Sequence, residues 1–365
     1  MSSLNPEHAY FNSFNQIPQI GPVRFQKLLN FFPNLETAWR APVGELLQSG
    51  IEENIVNEIL KLRREMEPSA EFAKLEAQKI SFVTIKDETY PKLLREIPNP
   101  PVVLYIRGQI TPADHTGIAI VGTRKVSPYG RQVTEDLTRD LVRANITIVS
   151  GLALGVDAFA HRAAVETDGR TIGVLACGVE SIYPATNRII AEKILAGRGA
   201  IVSEFPLGAP PLKHHFPNRN RIISGLTLGT VVIEAAADSG ALITARHALE
   251  QNRQVFAVPG SIYNPVSQGP NNLLKMGAKP VTSAADILEE LNLGMLAQEI
   301  LTSEIIGDNP EEQKILGILT REPKHFDQIA KSLGLPASTV AATLTIMEMK
   351  GKIRNLGANQ YVKSR

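Results

Sequence analysis

A single cysteine, Cys177, stands among 365 residues. It excludes an intramolecular disulfide and a cysteine-based zinc site, and it fits a reducing, cytoplasmic setting. Charge of one sign is also missing: 38 Lys and Arg against 37 Asp and Glu leave a net +1, so affinity for a polyanion has to come from local patches. No apolar run reaches the roughly 18 residues of a membrane span. The start, Met1-Ser2-Ser3-Leu4-Asn5-Pro6-Glu7, has neither the basic region nor the apolar run of a signal peptide. Two phosphate motifs are lacking as well. After the strand ending at Val121, Gly122-Thr123-Arg124-Lys125-Val126-Ser127 has no second glycine in dinucleotide register, and G-x-x-x-x-G-K-[ST] does not occur. NAD and P-loop chemistry lose support, and no cofactor is expected.

What is present divides the chain into three. Residues 1–68 read as short helices broken by Pro and Gly, with Ile17-Pro18-Gln19-Ile20-Gly21-Pro22 and Ser49-Gly50-Ile51 as turns before apolar helices, a pattern like helix-hairpin-helix or SAM modules. Over 69–300, β-type runs alternate with helix-type segments, beginning at Ser81, Val102, Gly117, Ile146, Thr171, Ala200, Thr230 and Gln254. That alternation predicts an α/β domain with an extended Rossmann-like, doubly wound, mostly parallel sheet. Ser127 with Pro128 predicts a capped helix start. Residues 301–365 read as a winged helix: helices over Glu311–Thr320, His325–Leu333 and Ala337–Lys350, then strands around Ile353 and Tyr361. The outward Ser338, Thr339 and Thr343 are a poor kit for reading base edges.

The segment Lys213-His214-His215-Phe216-Pro217-Asn218-Arg219-Asn220-Arg221 sets an aromatic ring among cations and amides. Cations attract phosphates, a ring stacks a base, and a helix starting at Pro217 would add free N–H groups. Core packing of Phe216 with solvated arginines is the plainer alternative. Glycine and small residues follow several strands, at Gly122, Ser150-Gly151, Gly178, Gly240-Ala241 and Gly260, where ligands of open α/β sheets bind. His161, His214 and His215 have no partners at metal spacing, so no metal is expected. Glu180, Glu204 and Glu234 show no acid–base pairing.

Ile120–Arg124, Ser150–Ala158, Phe216–Leu226, Ser239–Ala245 and Val258–Ser261, in that order and spacing, resemble the signature segments of the bacterial DNA-processing protein A family (DprA, or Smf) over residues 80–292. The resemblance implies a non-enzymatic, homodimeric core that binds and protects single-stranded DNA, displaces single-strand-binding protein and helps load the recombinase RecA in natural transformation. Carried over by motif, Arg124, Lys213, Arg219 and Arg221 hold phosphates. Gly122, Ser150, Gly151, Gly240 and Ala241 give backbone or close-approach contacts, and Phe216 stacks on bases. Thr123 and Asn218 lie in the same segments as candidate contacts, without a role for the Thr123 side chain. The family's dimer contact falls at Asn271–Val281, with Leu273, Leu274 and Met276 as apolar anchors. Two rivals are a phosphoribohydrolase, whose P-G-G-x-G-T-x-x-E loop is here Asp238-Ser239-Gly240-Ala241-Leu242-Ile243-Thr244-Ala245-Arg246 without the glutamate, and a nucleotide-sensing winged-helix regulator.

Overall fold

The computed structural model describes residues 6–197, 199–293, 307–320 and 322–363. It forms two compact units, Met1–Gly294 and Met295–Arg365. The boundary expected at residue 300 lies outside the described residues.

The first unit opens with six helices, α1 (Glu7–Asn15), α2 (Pro22–Phe31), α3 (Leu35–Arg40), α4 (Val43–Gln48), α5 (Glu53–Glu65) and α6 (Pro68–Ala77). A nine-stranded sheet follows, built from β1 (Ser81–Thr84), β2 (Val103–Gly108), β3 (Ile118–Val121), β4 (Ile148–Ser150), β5 (Thr171–Val174), β6 (Ala200–Ser203), β7 (Gly229–Val232), β8 (Gln254–Ala257) and β9 (Lys279–Pro280). Its order is β1-β2-β6-β5-β4-β3-β7-β8-β9. From β6 to β9 all neighbours are parallel, while β2 runs antiparallel to both β1 and β6. The central strands are buried along their whole length, as the near-continuous Val, Ile and Ala runs require of a sheet covered on both faces.

The connecting helices are α7 (Lys92–Arg95), α8 (Pro128–Arg143), α9 (Val156–Glu166), α10 (Arg188–Ala196), α11 (His215–Gly225), α12 (Gly240–Glu250), α13 (Gln268–Lys275) and α14 (Ala284–Glu290). From β3 the chain first winds outward through β4, β5 and β6, then returns to place β7 on the other side of β3. The order therefore reverses at β3, and the crevice beyond the carboxyl ends of β3, β4 and β7 is the place for a ligand. At α8, Ser127 caps as expected, its Oγ accepting from Gly130 N at 3.1 Å with Pro128 at the first position. The helix expected to start at Pro217 starts two residues earlier, at His215. Pro217 is then its third residue, where a missing N–H still costs no intrahelical bond.

The front helices do not hold a core of their own. Phe11, Phe14, Phe25, Leu28 and Trp39 share one apolar cluster with Phe82 of β1 and Val103 and Tyr105 of β2. Polar stitching follows the same seam: the Tyr105 hydroxyl donates to Asn12 Oδ1 at 2.7 Å, and Asn15 Nδ2 donates to the Glu204 carbonyl at 2.9 Å. Helices over 1–68 are thus continuous with the sheet, and α6 extends them past the expected boundary.

The second unit has helices α15 (Pro310–Ile318), α16 (Phe326–Leu333) and α17 (Ala337–Met349) and a sheet β10-β12-β11 formed by β10 (Lys324–His325), β11 (Ile353–Asn355) and β12 (Gln360–Lys363). This is the winged helix, with β10 as a short strand that the periodicity did not reveal. Its core is Ile315, Leu316, Ile329, Val340, Leu344, Met347 and Ile353. The Thr343 hydroxyl turns back onto Thr339 O at 2.9 Å, while Ser338 and Thr339 are exposed. Among the described residues no single helix is long and apolar enough to cross a membrane.

Phe14 is fully buried, edge-on to Trp39 with ring centroids 5.1 Å apart. Phe14→Ala is expected to cost about 3–5 kcal/mol. In denaturant titrations, helical and sheet signals of the first unit should shift together. A sheet transition left at its original midpoint would mean that the front helices fold apart.

Candidate nucleic-acid interface

Arg124, from the loop after β3, meets Phe216 and Arg219 of α11 at the sheet's carboxyl edge. The guanidinium carbons of Arg124 and Arg219 lie 5.7 and 5.9 Å from the Phe216 ring centroid, within cation–π reach. Tyr183, nearly half exposed, approaches the same ring edge-on at 5.9 Å. Phe216 itself is half-buried. Sequence reasoning missed Tyr183, since nothing in the 177–187 stretch links it to a residue 33 positions later. Arg124, Lys125 and Lys213 are exposed and make no ion pair among the described residues. Asn218 is also exposed. A partly exposed ring with an uncompensated cation beside it, in segments that carry two more, has the parts that a sequence-tolerant single-strand site uses.

The other two arginines are placed differently. Arg219 is 4% exposed and donates from Nη1 to the Val174 carbonyl at 2.7 Å. Burial lowers its pKa to about 10, with the nearby Asp157 carboxylate opposing that shift, so it remains a cation at neutral pH. Arg221 is ion-paired through Nη2 with Glu204, each side chain 14% exposed. That pair lines a cavity of about 790 Å³ together with Phe25, Pro98, Leu207 and Asn218. Helix α11 therefore turns Phe216 and Arg219 toward one side and Asn218 and Arg221 toward another. Expected alike as phosphate holders, Arg219 and Arg221 are internal supports of the helix that carries Phe216.

The small residues also divide. Ser150 is fully buried, its Oγ donating to Ile120 O at 2.6 Å, and Gly151 N donates to Asp157 Oδ2 at 3.0 Å. A Cβ on Gly151 would fall 1.8 Å from Arg219 Nη1, so this glycine is the gap through which the guanidinium passes. A Cβ on Gly122 would meet Val156 Cγ2 at 2.5 Å and the Glu234 carbonyl at 2.9 Å. Thr123 N donates to that carbonyl at 2.6 Å, and Thr123 Oγ1 accepts from Lys125 N at 3.1 Å. Gly240 is exposed with open space where a Cβ would stand, whereas the Ala241 N–H is taken by the Ser239 hydroxyl at 3.3 Å. Of the expected close-approach positions, Gly240 is exposed although its carbonyl accepts from Asn220 Nδ2 at 3.2 Å, while Ser150, Gly151 and Ala241 have their hydrogen bonds inside the protein.

The titratable groups of the crevice are occupied too. Glu234 accepts from Ser127 N at 2.8 Å and from Ser127 Oγ at 2.5 Å, fixing the start of α8. Glu180 accepts from Gly208 N at 2.8 Å. His215 stacks on Phe205 with centroids 3.9 Å apart, its Nδ1 lying 3.2 Å from Ala176 O, and burial lowers its pKa. His214 stands edge-on to it and is exposed. No three His, Cys, Asp or Glu gather to hold a metal among the described residues.

His161 is fully buried against Thr171, Nδ1 to Oγ1 at 2.7 Å, and desolvation pushes its pKa down to about 3 from an ordinary 6.5. Below pH 6.5 the unfolded imidazole takes a proton that the folded one refuses. Its contribution is therefore whole above that pH and is lost as pH falls toward 3, by roughly 2–3 kcal/mol at pH 4.5. Denaturant midpoints at pH 7 and 4.5 should converge in His161→Gln relative to the unaltered chain. An equal acid loss in both would assign the effect to other groups.

Comparison with known proteins bears on the family and the fold. The family described as DNA recombination-mediator protein A matches residues 81–292, and a DprA winged helix domain matches 302–359. Protein Smf of Synechocystis is 35% identical over 98% of this chain and 99% of its own length. The crystal structure of DprA from Streptococcus pneumoniae superposes with a TM-score of 0.68 at 35% identity, covering 77% of this chain and 97% of that one. A DprA structure from Helicobacter pylori, which describes that protein's single-stranded DNA binding mode, gives 0.53 at 31% identity over 59% and 96%. Motif order, sheet topology, winged helix and near full-length identity to Smf agree, and the chain belongs to the DNA recombination-mediator protein A family, the DprA/Smf proteins.

Proposed function

We propose that this recombination mediator binds single-stranded DNA at the carboxyl edge of its sheet, without catalysis, protects it from attack and helps load RecA on it in place of single-strand-binding protein. The observation that carries the reading is Phe216, half-buried beside Arg124 and Tyr183 with Lys125 and Lys213 unpaired nearby. Arg124 and Lys213 attract the phosphates, Phe216 stacks a base, and the exposed Gly240 leaves room for close approach. Ser150, Gly151, Arg219 and Arg221 act by holding the loops and α11 in place. Absence of catalysis is supported by the carboxylates: Glu204 is paired with Arg221 and Glu234 is bonded to Ser127. The protein is proposed to work in the cytoplasm as a homodimer. Leu274, half-buried, and Met276, 78% exposed, offer apolar surface, whereas Leu273 packs on the sheet core. The interface proposed here accordingly rests on Leu274 and Met276.

Phe216→Ala should lose roughly ten- to a hundredfold in affinity for oligo-dT with little change in melting, while Phe216→Trp binds well. Arg124→Ala and Lys213→Ala should each flatten the dependence of log K on log salt by about 0.7. A Phe216→Ala protein that melts far lower yet binds normally would return the ring to the core and sink the reading. Release of free base from nucleotides would instead favour a phosphoribohydrolase.

Leu274→Asp with Met276→Asp should give a folded monomer in sedimentation that binds DNA less tightly for want of a linked second site. An intact dimer would move the interface elsewhere.

A further inference from the structure

A second aromatic ring has two cations within reach of it. Phe159, half-buried in the first turn of α9, has the guanidinium carbon of Arg131 at 4.8 Å and that of Arg162 at 5.6 Å from its centroid. Arg131 lies in the first turn of α8 and keeps 55% of its side chain exposed while pairing through Nε with Glu135 at 2.8 Å. Arg162 is exposed and makes no ion pair among the described residues. Helices α8 and α9 begin beyond the carboxyl ends of the adjacent strands β3 and β4, on the edge that also carries Arg124.

The two clusters are joined through one loop. Val156 N, at the start of α9, donates to Thr123 O at 3.2 Å. Gly155, with φ of +77°, lets the chains touch there, because a Cβ would sit 2.3 Å from that same oxygen. Phe159 is thus one helical turn from the backbone that presents Arg124. A half-buried ring near two guanidinium groups, of which one is unpaired, matches the Phe216 arrangement in chemistry: a ring for a base and charge for the adjoining phosphates. Holding Phe159 in α9 by packing alone would not require an exposed Arg162 at its side.

We infer that Phe159, with Arg131 and Arg162, is a second nucleotide-stacking position for the same single strand, reached over the Gly122–Arg124 loop. The inference rests on the reading of Phe216 as the first position, and strand length separates the two. A strand filling only the Phe216 position gains nothing from Phe159; a longer one occupies both.

The test is fluorescence anisotropy on the full chain with oligothymidylates of about five and about fifteen nucleotides, lengths that bracket common single-strand site sizes. Phe159→Ala should weaken the longer strand by about tenfold and leave the shorter nearly unchanged, with Phe159→Trp restoring affinity. Arg162→Gln, a surface change that spares folding, should lower the longer strand's salt slope by about 0.7 and not the shorter strand's. Unchanged affinity for the longer strand in both Phe159→Ala and Arg162→Gln overturns the inference, and so does equal weakening for both lengths, which would mean that α9 acts by moving the Arg124 loop. Failure of the underlying reading looks different: short-strand binding would be absent from the unaltered chain or indifferent to Phe216→Ala, and the second position would fall with it.

Discussion

The guanidinium of Arg219, buried at the end of β5, is the contact on which the interface depends. It ties α11 to the sheet through the Val174 carbonyl, passes over Gly151 where no side chain is allowed, and sets a cation near the buried Asp157 carboxylate, whose two backbone acceptances shape the β4–α9 loop. Burying a charge is expensive unless its hydrogen bonds and countercharge are arranged in advance. Here three segments supply part of that compensation, through the Val174 carbonyl and the nearby Asp157 carboxylate, while Arg219 Nε stays buried without a partner among the described residues. The outcome is a ring, Phe216, whose position is set from beneath, so that little ordering is left for a ligand to impose.

That arrangement also explains why charge alone was a poor guide. Arg124, Arg219 and Arg221 look equivalent as residue types, and the motif resemblance treated them alike. In space one is exposed, one is sealed under a loop and one is neutralised by Glu204. Neutral residues near the cluster do comparable work: Ser150, fully buried, and Gly122, which has no room for a Cβ, set the spacing between β3, β4 and the start of α9.

Much of the architecture was legible because its signals are local. Alternating apolar runs gave the strand positions, Ser127-Pro128 gave a helix start, and the tail gave its three helices. What escaped depended on distant contacts. The common core of Phe14, Phe82 and Tyr105 joins segments about 70 to 90 residues apart, and no periodicity reports that the front helices lack a floor until β1 and β2 supply it. The start of α11 was misplaced because Pro217 is a good first residue and an equally acceptable third one. Tyr183 carried no sign of its neighbour. Leu273 and Leu274 are adjacent and chemically identical, and only the helix register against the sheet separates the one that packs inward from the one beside it.

The far margin of the sheet ends on β9, two exposed residues of which one is a lysine and the other a proline. A strand that short, carrying a ring where an N–H would be, offers no template for another strand to continue the hydrogen-bonded ladder. A neighbouring molecule approaching there meets the side chains of α13 and its flanking loops. A joint made there would be reversible, graded by apolar area and open to tuning one residue at a time, where a shared ladder would tend to be all-or-none and to invite open-ended stacking.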